Sequence, residues 1–417
     1  MILLTKKHIH HIFAVSLLVT AIDIQAKNYQ TLPQGRSTLG YKYVVTNSIT
    51  SKLDSTGNKE SYSIKEEIDA KQLESINTTF KNYFETLKQI SPSAYNQFSF
   101  GEYSVEAEGK VKAQGVGMGH GFTNKLTGYI TLPLYQASSK VNLKQTKFSN
   151  MSAVKNALQG VSTSNSTDAL IKQFTEQIPE ASGEVLQSLV TNYYGYKPLG
   201  NWNKSAPGDI EVGFIYNIVN ESRYGTAFSF GSILPTGEAD DPDSLQDIPT
   251  GDGQADLFVE NLSGVSLIEG NLDFDLRTRY TYQLAEDKYI RLPEDEDLPL
   301  TNKKGYVNEK LGDKLEGEAM LTSTFFDSIS QSFGVLYLKK LSNRYETSNQ
   351  LAKTILEKNS NEEALWFKAS IKLSSIELFK SNKFFLPLDI GGSYQKLIQG
   401  KNTPDYQRID IDFRLYF

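Results

Sequence analysis

Two stretches of the chain alternate so regularly that they leave little choice of backbone. From Leu272 the sequence runs LDFDLRTRYTYQL, and the chain ends in RIDIDFRLYF. A period of two puts Leu272, Phe274, Leu276, Thr278, Tyr280, Tyr282 and Leu284 on one side of a β-strand. Asp273, Asp275, Arg277, Arg279, Thr281 and Gln283 fall on the other. In the last strand Ile409, Ile411, Phe413, Leu415 and Phe417 oppose Arg408, Asp410, Asp412, Arg414 and Tyr416. A soluble sandwich turns its polar face to bulk water and fills it mainly with Thr, Ser and Lys. A ladder of both charge signs suits a crowded polar interior instead. A membrane barrel accommodates both faces, because lipid takes the apolar side and the lumen takes the polar one.

The rest of the chain is consistent with a barrel. No run of 18 apolar residues follows the N-terminal region, so a helical membrane protein is excluded. Lys6 and Lys7 precede a short apolar run from Ile12 to Ile22, and residues 1–26 read as a secretory signal cleaved after Ala26. Residues 27–417 then form one all-β unit, a transmembrane antiparallel up-and-down barrel. The absence of cysteine excludes disulfide scaffolds, thiolate metal sites and cysteine nucleophiles. A formal net charge of -6 supplies no basic field, so no nucleic-acid partner is expected. The 23 Tyr and 22 Phe are an aromatic load that interfacial girdles would absorb.

Ten further segments alternate less cleanly: Gly35 to Val45, Tyr103 to Gly115, Leu126 to Tyr135, Asp209 to Val219, Tyr224 to Leu234, Asp256 to Leu267, Lys310 to Phe325, Gln331 to Lys340, Ala364 to Phe379 and Phe384 to Gln395. With the two ladders they make about twelve strands. Short turns at 123–125, 220–223, 268–271, 327–330 and 380–383 alternate with longer connections. That rhythm describes an outer-membrane barrel whose short turns face the periplasm. Few residues precede the first strand, so no separate N-terminal plug is expected, and any obstruction of the lumen falls to loops or ladder side chains.

Two loops carry helical periodicity, at about 69–91 and 151–195. In the first, Leu73, Ile76, Phe80 and Phe84 recur at spacings of three and four, an apolar stripe that either packs over the barrel mouth or captures an apolar solute. The second holds candidate helices around Ser152 to Leu158, Thr167 to Ile178 and Gly183 to Tyr194. The two ladders are expected to line the lumen with Glu316, Glu318, Lys368 and Lys372, neutralising one another or setting selectivity.

The closing alternation at Phe413, Leu415 and Phe417 resembles the assembly signal that the insertion machinery of Gram-negative outer membranes reads. GDIEVGFIYNIV at Gly208 to Val219, LPTGEADD at Leu234 to Asp241 and IPTGDGQADL at Ile248 to Leu257 resemble the outer-membrane family named for the meta-pathway of phenol degradation. That family is distantly similar to the fatty-acid transporters. The resemblance implies a barrel that passes small apolar or aromatic solutes and meets outer-membrane lipid and lipopolysaccharide. The Asn-Pro-Ala hatch motif of the fatty-acid transporters is absent.

Candidate chemistry is sparse. His120 is the only histidine after the signal, and Phe122 stands where outer-membrane phospholipases would place serine. Neither a multi-histidine metal site nor a serine relay is expected, and the chain does not read as an enzyme. The alternating Gly115, Gly117, Gly119 and Gly121 fit neither phosphate-binding fingerprint and read as flexibility near a turn. The acidic run from Glu238 to Asp256 does not follow EF-hand spacing and reads as a solvated loop, with no metal or cofactor expected. The alternative function is a surface barrel whose loops bind partners and whose lumen the charge ladders seal.

Overall fold

The computed structural model describes residues 27–74, 78–150, 152, 154, 183–296 and 300–417. The expected signal, Ile76 and the helices expected at Ser152 to Leu158 and Thr167 to Ile178 lie outside the described residues, apart from Ser152 and Val154, the latter packed in the core.

Twelve strands close into a barrel: β1 (Ser37–Thr46), β2 (Ser99–Thr123), β3 (Leu126–Lys147), β4 (Ile210–Asn220), β5 (Tyr224–Leu234), β6 (Asp256–Ile268), β7 (Leu272–Gln283), β8 (Lys314–Phe325), β9 (Ile329–Lys340), β10 (Glu362–Ser374), β11 (Leu388–Lys401) and β12 (Gln407–Tyr416). Each pairs antiparallel with its neighbours in the chain, and β1 pairs with β12, so the barrel wall has no free edge. Such closure is what hydrocarbon demands, because an unpaired backbone N–H or C=O has no water there to bond. The seam is pinned at its end by Ser37 and Phe417, which exchange backbone hydrogen bonds of 2.8 and 2.9 Å.

Along β7 the apolar residues Phe274, Leu276, Tyr280 and Tyr282 are exposed on the outer surface, whereas Arg279, Thr281 and Gln283 are buried. In β12 Ile409, Ile411, Phe413 and Phe417 are likewise outside, and Arg408, Asp410 and Arg414 are buried. Phe413 and Phe417, two of the residues expected to form an assembly signal, therefore lie on the outer face beside the seam.

Three features differ from the sequence reading. First, β2 and β3 run for 25 and 22 residues. At about 3.3 Å per residue the longer one spans about 80 Å, far more than an apolar band about 25 Å tall. The alternation keeps its phase throughout while its chemistry inverts. On the turn side Val116 and Met118 face out and glycines face in; on the loop side Val105, Ala107, Val111 and Ala113 face in and Glu106, Glu108 and Lys110 face out. An outer face that changes from apolar to charged marks where the strand leaves lipid. Second, the tenth connection is longer than expected, with β10 ending at Ser374 and β11 starting at Leu388. Phe379 and Phe384 belong to this turn, which carries a short helix at Ile376–Lys380. Third, the residues before β1 turn into the barrel.

Over the loop-side mouth, helices at Ala70–Glu74, Thr78–Ile90 and Pro92–Gln97 pack on the upper inner faces of β1 to β3. Ser91 caps the last of these by accepting from the Ala94 N–H at 3.3 Å. Arg291 ties three loops together. Its guanidinium donates to the Tyr194 carbonyl (2.7 Å), the Gly195 carbonyl (2.7 Å), the Pro242 carbonyl (2.8 Å) and Asp243 (2.7 Å), and stacks 3.6 Å from the Tyr196 ring. Burial opposes the charge on Asp243, and Lys304 and Arg291 beside it more than offset that, holding its carboxyl below the ordinary range.

Placing Leu276 on the lipid face predicts that Leu276→Arg lowers the stability of the vesicle-folded barrel by about 2–4 kcal/mol. Urea titration measures it, and an unchanged midpoint would remove Leu276 from lipid.

Candidate functional site: the barrel lumen

The lumen is built from inward positions of all twelve strands, and its charges pair across strands. Register explains why. Arg277 and Arg279 of β7 stand opposite Glu318 and Glu316 of β8, and Glu260 of β6 stands opposite Arg279. The Arg279 guanidinium donates to Glu211 of β4 at 2.8 Å, lies 3.8 Å from Glu316 and stacks 3.9 Å over the Phe258 ring. Glu211 also accepts from the Tyr129 hydroxyl at 2.8 Å. Arg277 pairs with Glu260 and, at 3.9 Å, with Glu318, which Lys368 of β10 reaches at 2.6 Å. These groups are largely closed off from solvent, with Arg279 3% exposed.

The two ladders do not neutralise each other, as the sequence reading supposed. Four strands separate β7 from β12 on the shorter way round the wall. Within β12, Arg408 makes a bidentate pair with Asp410, both bonds 2.7 Å, and Lys42 of β1 joins Asp410 at 3.3 Å. Nearer the turns, Arg414 lies 3.6 Å from Asp389 of β11, and the Tyr416 hydroxyl donates to Asp389 at 3.0 Å. Asp412 fits where Gly391 leaves space, since a Cβ there would stand 2.4 Å from its carboxylate. Lys372 faces inward on β10 without an ion pair among the described residues. Glu211, Glu260 and Asp389 were missed because each sits singly in an otherwise apolar or mixed strand. The signal available was their inward phase, identical in β4 and β6 to that of the neighbouring buried positions.

The turn-side end is filled by the segment before β1. Tyr29 is 1% exposed and packs with Leu32, Tyr129, Ile215, Ala227, Phe258 and Leu262. Its carbonyl accepts from Asn217 at 2.7 Å, and Asn28 donates to the Ser263 and Leu276 carbonyls, each at 3.2 Å. Lys27 pairs with Asp273 at 3.3 Å. Glycine makes the slot. A Cβ on Gly225 would stand 2.1 Å from the Tyr29 ring, one on Gly264 2.8 Å from it, and one on Gly121 2.3 Å from the Pro33 carbonyl. The expectation of an unplugged N-terminus is thus overturned, and at least Gly121 of the glycine run provides close approach rather than flexibility. Between β1, β2, β3 and β12, Thr38, Gly40, Met118, Thr131 and Arg414 line a hollow of about 10 Å³, room for about one water.

The apolar stripe of the first loop is spent on packing. Leu73 and Phe84 are buried, Phe80 is half-buried, and Phe84 meets Phe98 edge-on with centroids 4.9 Å apart. In this conformation the stripe caps the mouth and lines no open pocket.

Strand pairing brings Ser37 to His120, with Oγ 2.9 Å from Nδ1. The sequence, searched for a serine next to His120 or two residues after it, gives no sign of this cross-strand pair. The dyad sits on the exposed outer surface beside Phe122, and no third group orients the imidazole among the described residues, so its geometry is that of a cross-strand hydrogen bond.

No family model matches the chain, and no curated protein does. Among solved structures, an outer membrane channel from Pseudomonas putida F1 superposes with a TM-score of 0.53 at 11% identity, covering 94% of this chain and 100% of that one. The toluene transporter TbuX of Ralstonia pickettii covers 93% and 90% at 9% identity with a TM-score of 0.33, too low to carry an argument. The chain has the fold of an outer-membrane channel.

Two outcomes follow from this packing. Arg279→Ala leaves Glu211 and Glu316 buried without their partner, and the folded barrel should lose about 3–5 kcal/mol in a denaturant titration. Gly225→Leu fills the Tyr29 slot. In this cysteine-free chain, Asn28→Cys should react slowly with a water-soluble maleimide and much faster when combined with Gly225→Leu; equal rates would place the segment outside the lumen.

Proposed function

We propose that the protein is an outer-membrane channel for passive entry of small apolar or aromatic molecules, described here in a closed state. The observation that carries the reading is the apolar lining of the loop-side lumen. It runs unbroken from Phe84, Leu87 and Phe98 of the cap to Val44, Val111, Ala113 and Ala137 on the inner wall. These residues are packed against one another in the closed state, and a solute entering as the cap lifts would meet aromatic and aliphatic surface, which selects against hydrated ions and sugars because they would have to shed water. Below that lining the charges are already paired with one another, so they offer a translocating ion no uncompensated ring of one sign. Whole-length likeness to the Pseudomonas putida F1 channel supports the channel class. The terminal strand, with Phe413, Leu415 and Phe417 outward, suits recognition by the insertion machinery, and the aromatic outer face suits lipid and lipopolysaccharide.

The closed lumen favours one competing reading, a non-transporting barrel whose loops bind partners. Reconstitution separates the two. In liposomes carrying lipopolysaccharide, the mature chain should admit a small aromatic solute several-fold faster than empty liposomes and a sugar of similar size no faster. If neither solute enters faster than through empty liposomes, the non-transporting reading replaces this one.

A further inference from the structure

The outer wall around the seam carries cations that the lumen does not use. On β11, Gln395 and Leu397 are buried and Lys396 between them is exposed on the outside. Gln407 of β12 stands opposite Lys396 and is also exposed. Asn47, the exposed residue after β1, is tied to it: the Asn47 N–H donates to the Gln407 carbonyl at 3.1 Å, and the Gln407 N–H donates to Asn47 Oδ1 at 2.7 Å. On β2, Lys110 and Lys112 flank the buried Val111 and face out, and Lys112 stands opposite Val45 of β1. A polar row thus crosses the seam from β11 to β2.

This row begins where the lipid face ends. On its turn side the outward residues are Ile409, Ile411 and Phe413 on β12, Tyr41 on β1, and Val116 and Met118 on β2, all exposed. From Ile409 to Phe417 the outer face of β12 runs about 26 Å along the strand, comparable with an apolar band about 25 Å tall. Tyrosine hydroxyls mark the same boundary. Tyr394 donates to Gln407 at 2.9 Å and Tyr41 to Gln114 at 3.2 Å, each reaching one outward position toward the loops. A ring in lipid with its hydroxyl among headgroups is the arrangement of an interfacial girdle.

Lysines further from lipid on β3 are paired. Lys144 reaches Glu106 at 3.2 Å and Lys147 reaches Glu102 at 3.2 Å. Lys110, Lys112 and Lys396 make no ion pair among the described residues. Glu108, one outward position beyond Lys110, stands opposite Lys140 of β3. In a chain of formal net charge -6, uncompensated lysines gathered at the lipid boundary call for anions from outside the protein. Their stems can lie along the apolar row while the ammonium groups sit among headgroups.

We infer that Lys110, Lys112 and Lys396 bind the phosphates of a bisphosphorylated glycolipid in the loop-side leaflet, the lipid A part of lipopolysaccharide. Three strand spacings, about 14 Å, separate β11 from β2. A disaccharide with a phosphate at each end can therefore meet Lys396 with one and the β2 lysines with the other, leaving Gln407 and Asn47 beneath the sugars. Its acyl chains lie on the apolar wall below, at Ile409 and Ile411. Lysine serves here as a point charge for phosphate. A bound lipid bridges the seam at which β1 meets β12. The inference rests on the outer-membrane barrel and not on solute transport, so the liposome entry assay does not bear on it.

The test uses the chain that starts at Lys27, refolded in neutral detergent free of lipopolysaccharide. It is titrated with bisphosphorylated lipid A, monophosphoryl lipid A or phosphatidylglycerol, and bound lipid is counted by native mass spectrometry. Bisphosphorylated lipid A should bind at least tenfold more tightly than either of the others, and added sodium chloride should weaken it. Lys110→Gln, Lys112→Gln and Lys396→Gln together should lower that affinity at least tenfold, whereas arginine at the same three positions should keep it. Lys144→Gln, whose lysine already has Glu106, should leave it unchanged. Equal affinity for the three lipids, an unaffected triple glutamine variant, or an equal loss in Lys144→Gln would overturn the site. If the triple variant fails to fold, Lys396→Gln alone decides. A fall to the affinity of monophosphoryl lipid A supports the bridge across the seam, and an unchanged affinity contradicts it.

Discussion

Everything in this protein depends on the closure of one hydrogen-bonded ladder. A strand in hydrocarbon cannot leave its backbone groups unpaired, so β1 must find β12 and the remaining strands must pair in chain order between them. Once that ladder closes, side-chain period two divides the chain into an outer face and an inner face, and each residue's chemistry must suit the medium its phase assigns. Lipid selects Leu, Ile, Phe and Tyr outside. Inside, most charges find partners, on neighbouring strands for Arg277 and within the strand for Arg408. The cross-strand pairs of Arg277 and Arg279 with glutamates of β4, β6 and β8 follow from register as directly as the seam does.

The lumen is closed by two unlike devices. On the turn side a short N-terminal segment inserts Tyr29 into a slot that Gly225 and Gly264 leave open, and anchors it with Lys27 and Asn28. On the loop side, helices pack an aromatic layer onto the inner wall, and Arg291 ties together the adjoining loops. Under the proposed function, a barrel closed in this way needs a movement to pass a solute. The N-terminal segment is held by Tyr29 and Leu32 in the lumen, by hydrogen bonds from Asn28, Thr31 and Leu32, and by the Lys27–Asp273 ion pair.

Much of the architecture was legible because alternation survives in the sequence without reference to any partner strand. All twelve strands were placed by it, and the inward phase of Arg279 and Arg408 was visible in their ladders. What was not legible depended on partners. The phase of β2 can be read from Tyr103 to Gly121, but the height at which its outer face leaves lipid cannot, since the same alternation of apolar and charged residues continues with the faces exchanged. A glycine at 225 gives no sign that a ring from residue 29 will occupy the space its missing Cβ leaves. Ser37 and His120 are 83 positions apart, and only the β1–β2 register brings them together. The extended turn after β10 was misread because Phe379 and Phe384, which sit in the turn, continue the apolar character of the strands on either side.

On the proposed function, a solute path lies behind the turn-side seal formed by residues 27–34. The most direct measurement compares entry of a small aromatic solute into liposomes bearing a chain that starts at Lys27 and one that starts at Gly35, both confirmed as folded barrels. The account predicts faster entry through the shortened barrel. A shortened barrel that folds and admits the solute no faster than the intact one would contradict it.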